Sequence, residues 1–79
     1  MGFRRVGFVR GGLAVGGYSV AKYRDDKSGA VKLCLMRNGR SVARKTFSGL
    51  SEFTAWYTST VPHDADGHDT IIKLTEVLK

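Results

Sequence analysis

The 79-residue chain has one cysteine, one proline and two histidines, and no apolar run approaching the roughly 20 residues of a membrane-spanning helix. With Cys34 alone, an intramolecular disulfide is excluded, and an unpaired thiol is most stable in a reducing compartment. Pro62 stands by itself, and neither an internal repeat nor a low-complexity tract divides the chain, so residues 1–79 are expected to form a single domain. The glycine-broken N-terminal stretch, with Arg4, Arg5 and Arg10, lacks a signal-peptide core. The expectation is a soluble, cytoplasmic protein. A chain of this length buries only about 60% of its unfolded surface, so most of its apolar residues are committed to folding.

Negative charge is scarce in the first part of the chain. Of the 13 Lys and Arg, all but Lys73 and Lys79 lie within residues 1–45, where Asp25 and Asp26 are the only acids. The remainder is acidic, with Glu52, Asp64, Asp66, Asp69 and Glu76. The formal net charge is +6. Such a dipolar layout draws an anionic partner, nucleic acid or an acidic protein surface, toward the first part, although a solvated basic surface that keeps a small protein soluble has the same composition.

Up to Phe47 the apolar residues alternate between turn signals, in FRRVGFVR, GYSVAKYR, AVKLCLM and SVARKTF, and each segment reads as a strand. Val31, Leu33 and Leu35 fall on one face of the third, with Lys32, Cys34 and Met36 on the other. Asn38-Gly39 supplies the pair that a two-residue type I′ hairpin requires, because both central residues need positive φ. Asp25 to Gly29 forms a looser hairpin, and GGLAVGG joins the first two strands less definably. After Phe47 the period lengthens: Leu50, Phe53, Trp56, Tyr57 and Thr60 recur at helical intervals behind Ser48 as N-cap, and the helix stops at or before Pro62. In TIIKLTEVLK, residues Ile71, Leu74, Val77 and Leu78 share a helical face and Asp69 can cap the start, although Thr, Ile and Val also suit a strand. The fold class predicted is α+β, a four-stranded antiparallel sheet with two helices on one face, in the order ββββαα.

PHDADGHDT, residues 62–70, gathers three aspartates and both histidines, an echo of a metal site. A calcium loop needs a bidentate glutamate at its twelfth position, where Thr75 stands counting from Asp64. For zinc, His63 and His68 have no second ligand pair beside them. The segment reads as a capping loop between helices, with no metal and no cofactor expected. Cys34 has no adjacent histidine in sequence to activate it, and the glycines match neither a P-loop nor a dinucleotide fingerprint, so no catalytic residue is assigned. A binding module, not an enzyme, is the expectation.

The run NGRSVARKTFSGLSEFTAWY, Asn38 to Tyr57, is similar to the hairpin-strand-helix segment of the small phage anti-CRISPR proteins of type I-F that bind the backbone of the Cascade surveillance complex. Phe3 at the start of the first strand, VAKY ending at Tyr23, the spacing of both hairpins and the short linker before the last helix extend the likeness over almost the whole chain. The resemblance implies a ββββαα inhibitor acting in the host bacterial cytoplasm. It would dock on the repeated backbone subunits and keep target DNA from pairing with the guide RNA, which requires occupancy and no catalysis. It further implies a docking face on the sheet, built in that family on tyrosines and an acidic residue. Tyr23 matches one tyrosine, Phe8 matches the N-terminal aromatic loosely, and Cys34 stands at the acidic position.

That departure and the basic first part point to the same scaffold aimed at another Cascade, type I-C, acting as a monomer. Contact is expected with acidic patches of the backbone protein or with exposed nucleic-acid phosphates. Candidate cations are Arg4, Arg10, Lys22, Arg24, Lys32, Arg37, Arg40, Arg44 and Lys45. The partner-binding set comprises Phe8, Tyr23, Arg24, Lys32, Arg37, Arg40 and Arg44. Trp56 reads as core by its helical spacing, while Tyr23 suits interface and core equally. The competing class is a small nucleic-acid-binding protein, with Tyr18, Lys22, Tyr23 and Arg24 tracking phosphates and stacking bases. The strand and helix order and the lack of an RNP1 pattern weaken an RRM-like version of it.

Overall fold

The computed structural model describes residues 2–79. The order is β1 (Arg4–Phe8), a 3-10 turn (Val9–Gly12), β2 (Tyr18–Arg24), β3 (Val31–Arg37), β4 (Arg40–Phe47), α1 (Leu50–Thr60) and α2 (Gly67–Leu78). The strands form one antiparallel sheet in the order β1-β2-β3-β4, each paired with its sequence neighbour. This is the α+β, ββββαα architecture predicted from the period change at Phe47.

Alternation in the two central strands sets the two sides of the sheet. Val31, Leu33 and Leu35 of β3 and Val20 of β2 are all fully buried, and they meet Phe47, Phe53, Val61, Ile71, Leu74 and Leu78 in one core. Both helices therefore lie on the same side. Phe47 anchors the join between layers, with its ring 5.4 Å from that of Phe53 in an edge-on arrangement and 5.2 Å from that of Trp56. Trp56 is half-buried in this aromatic cluster, as its spacing suggested.

Two tight turns close the same end of the sheet. Asn38 and Gly39 have φ of 52° and 84°, the positive pair that a type I′ hairpin requires. Gly16 and Gly17, in the stretch whose geometry the sequence left undefined, have φ of 61° and 83°, and Val15 and Tyr18 exchange both backbone hydrogen bonds around them at 2.9 and 3.0 Å. The Asn38 N–H donates to the Gly17 carbonyl at 3.2 Å and ties the two turns together.

The helix ends correct three sequence expectations. Gly49, not Ser48, is the N-cap of α1, and it offers no side chain; instead the Glu52 carboxylate accepts the Ser48 backbone N–H. Asp66, not Asp69, caps α2, accepting the Asp69 N–H at 2.7 Å. Leu50 and Val77 were expected on apolar helix faces, yet they are 48% and 43% exposed. Leu50 stands at the first residue of α1, clear of the sheet, while Thr70 takes a buried place on α2 beside Ile71 and Leu74. A hydroxyl fits there because Thr70 Oγ1 donates to the Asp66 carbonyl at 2.7 Å.

Candidate functional site

The side of the sheet turned away from the helices is uncovered, and strand register defines its membership. On β3 it carries Lys32, Cys34 and Met36; their partners on β2 are Tyr23, Ala21 and Ser19, and on β4 Thr46, Arg44 and Ser41. On β1 it carries Arg5, opposite Tyr23, and Phe8, opposite Ala21. Arg5 and Phe8 share a side although three residues apart, because the pairing shifts between Arg5 and Gly7 and leaves Val6 as a bulge. A bulge reverses the alternation beyond it.

At the centre, Ala21 and Cys34 are only 1% and 6% exposed although no helix lies above them. Their taller neighbours close over a shallow floor. The Cys34 sulfur sits 3.0 Å from Ser41 Oγ and 3.6 Å from Met36 Sδ. Its hydrogen-bond partners include no base, and the arrangement is that of a packed thiol. Around this floor the cations sit on aromatic rings. The Lys32 ammonium is 4.7 Å from the Phe3 ring centre and 4.8 Å from that of Tyr23, and the Arg5 guanidinium is 5.0 Å from that of Phe8. Such contacts hold long side chains in place and are worth about 0.5–1 kcal/mol each at exposed sites.

None of the seven acidic residues is on this face. Asp25 and Asp26 lie in the β2–β3 turn, and the others belong to α1, α2 and the loop between them. Arg5, Lys32 and Arg44 thus form a cationic rim with no carboxylate beside it.

The predicted partner-binding residues divide between the two sides. Phe8, Tyr23, Lys32 and Arg44 stand together on the open face. Arg24, Arg37 and Arg40 alternate to the helix side: Arg24 pairs with Arg4 and Val31, and Arg37 pairs with Tyr18 and Arg40. Other cations of the candidate pool are occupied within the fold. Arg4 makes a two-pronged ion pair with Asp26 at 3.1 Å, and Arg10 donates to the Ala65 carbonyl at 2.9 Å. Lys22 lies 4.8 Å from the Phe53 ring centre, and Lys45 lies 5.5 Å from that of Phe47. Phe3 and Arg5 join the open face without having been assigned to it, and Met36, which alternation puts on the face of Lys32, joins the candidate set. The register of β1 would have placed Arg5 there, but its bulge leaves no mark in composition.

Tyr18 and Lys22, expected to track phosphates beside Tyr23, point to the opposite side from it. The helix side carries a cleft of about 340 Å³ lined by Pro62, Asp64, Ala65, Asp69, Ile72, Lys73 and Glu76. Among the described residues, no three His, Cys, Asp or Glu side chains are grouped to hold a metal ion. Comparison with family models, curated proteins and solved structures returns no match.

Proposed function

We propose that this chain is an anti-CRISPR inhibitor that docks through the open face of its sheet on the backbone subunits of a type I Cascade and blocks hybridisation of target DNA to the guide RNA. The observation that carries the reading is the face itself: Phe8, Tyr23, Lys32 and Arg44, joined by Phe3, Arg5 and Met36, uncovered and free of carboxylates. Aromatic residues, Met and Arg are the types enriched at protein interfaces. Two of the rim cations, Arg5 and Lys32, are already held over aromatic rings, which lowers the entropy lost on docking. Tyr23, Phe8 and the Cys34 position share this one face, as a sheet-borne docking surface of the resembled family would require. The basic rim in place of an acid favours type I-C over type I-F, and an acidic patch of the backbone protein as the contact.

A nucleic-acid-binding protein is the second reading, favoured by the same lack of carboxylates. Against it, Lys32 lies over the rings of Phe3 and Tyr23, and Arg5 lies over Phe8, so a base has to displace a cation before it stacks.

The test is co-elution of the purified protein with type I-C and type I-F Cascade, with target DNA added before or after it. The expected result is a stable complex that no longer binds target when the protein is added first. No co-elution with either complex, together with a shift of free DNA that falls steeply with salt, would overturn the inhibitor reading in favour of the second.

A further inference from the structure

A second cationic group lies on the other side of the sheet, at the end closed by the two tight turns. Tyr18 and Arg37 are cross-strand neighbours, and Arg37 is in turn opposite Arg40, so the three stand in one row across β2, β3 and β4. From the end of α2, Lys79 reaches the same place. Its ammonium is 5.0 Å from the Tyr18 ring centre, and the Arg37 guanidinium is 5.2 Å from the same centre. The Lys or Arg ion pair among the described residues is Arg4 with Asp26, and it does not touch this group.

We infer that Tyr18, Arg37, Arg40 and Lys79 form a binding site for a phosphate group. Packing does not call for the cluster. The Tyr18 ring lies half-buried against the core and would do so as phenylalanine. Arg37 and Lys79 lie over one ring with Arg40 across the strand from Arg37, and like charges so gathered repel one another; with no Asp or Glu side chain among the described residues paired to them, an external anion is a fitting counter-charge. The donor set suits a tetrahedral oxyanion better than a carboxylate. A guanidinium fork takes two oxygens, and an ammonium and a phenolic O–H remain for others. The phenol of Tyr18 is held below its ordinary pKa of 10.0, first by hydrogen bonding with Lys79 and further by the charges of Lys79 and Arg37, which partial burial opposes. Both cations therefore act on the phenol oxygen where the ligand would bind. The site is separate from the open face and does not depend on the inhibitor reading. The phosphate can belong to a small free compound or to a nucleic-acid strand.

The experiment is an NMR titration of the ¹⁵N-labelled chain with pyrophosphate and, separately, with a short single-stranded DNA, at constant ionic strength. Saturable shifts confined to the two turns, residues 37–40 and the end of α2 are expected. Arg37→Gln and Lys79→Gln should each weaken binding about tenfold, and Lys27→Gln, in the β2–β3 turn at the other end of the sheet, should leave it unchanged. Bound phosphate should also return the Tyr18 phenol toward its ordinary pKa, read as tyrosinate absorbance with Tyr18→Phe as the blank. Saturation by pyrophosphate alone would assign a free phosphate compound, and saturation by DNA alone a strand; either supports the site. Unsaturable shifts spread over Arg5, Lys32 and Arg44 as well, or unchanged affinity in the Arg37→Gln/Lys79→Gln double variant, would overturn it.

Discussion

Asp66 ends the loop before α2 by accepting the Asp69 N–H at 2.7 Å. Replacing such a cap by alanine typically costs about 1 kcal/mol, so Asp66→Ala should lower the unfolding free energy by that amount, read as a lower urea midpoint with the slope intact. Asp69→Ala should do less, because Asp69 enters the cap only through its backbone N–H and its carboxylate makes just an exposed contact with His68. Glu52 makes a pH-dependent contribution instead. Acceptance of the Ser48 N–H holds its carboxyl below the ordinary 4.5. Its folded pKa is depressed, so the stabilisation is present above about 4.5 and disappears as pH falls through the lower folded value. Thermal melts should therefore show Glu52→Gln below the parent near neutral pH and level with it in strong acid. At this scale the sequence was legible where one residue pair admits one geometry, as at Asn38-Gly39. It was not at the caps, because Ser48 and Gly49, or Asp66 and Asp69, offer alternatives that differ by one turn of register or less, and tertiary packing selects between them.

The strands and helices were readable from their periods; their exact faces were less so. Val31, Leu33 and Leu35 alternate strictly, and the core side of β3 follows from that alone. The bulge at Val6 shifts Phe8 onto the side of Arg5, and a second shift between Leu35 and Met36 in the β3–β4 pairing leaves Val42 exposed. Neither shift has a compositional signature, and the second puts Arg40 and Arg44 on opposite sides although they are four residues apart; Arg24 and Arg37 fall on the helix side by plain alternation with Tyr23 and Lys32. The division gives a direct prediction. On the proposed inhibitor reading, Lys32→Glu and Arg44→Glu, on the open face, should each weaken Cascade binding by about 2 kcal/mol or more. Arg24→Glu, on the helix side, should change binding by less than about 0.5 kcal/mol. Equal losses from all three, read by titration calorimetry with the folded state checked by circular dichroism, would mean that the long-range field rather than the face decides docking.

For the molecule as a whole, one small core carries the fold. At about 0.05–0.15 kcal/mol per residue, a chain of this size is stable by roughly 4–12 kcal/mol. Truncation of a fully buried leucine costs about 2–5 kcal/mol. Leu33→Ala, at the middle of the core strand, should thus remove a large share of the total and be visible as a population of unfolded chain in mild urea. The same variant should bind a partner only in proportion to its folded fraction. The charge asymmetry visible in the sequence remains after folding, with every acidic residue off the open face. The open face has a consequence for how such a protein can change over generations. Phe3, Arg5, Phe8, Tyr23, Lys32 and Arg44 lie outside the helix-side core, so mutation can explore them almost independently of foldability. On the proposed docking, a lineage carrying this scaffold can follow a mutating target by rewriting six or so side chains while its hydrophobic interior stands still.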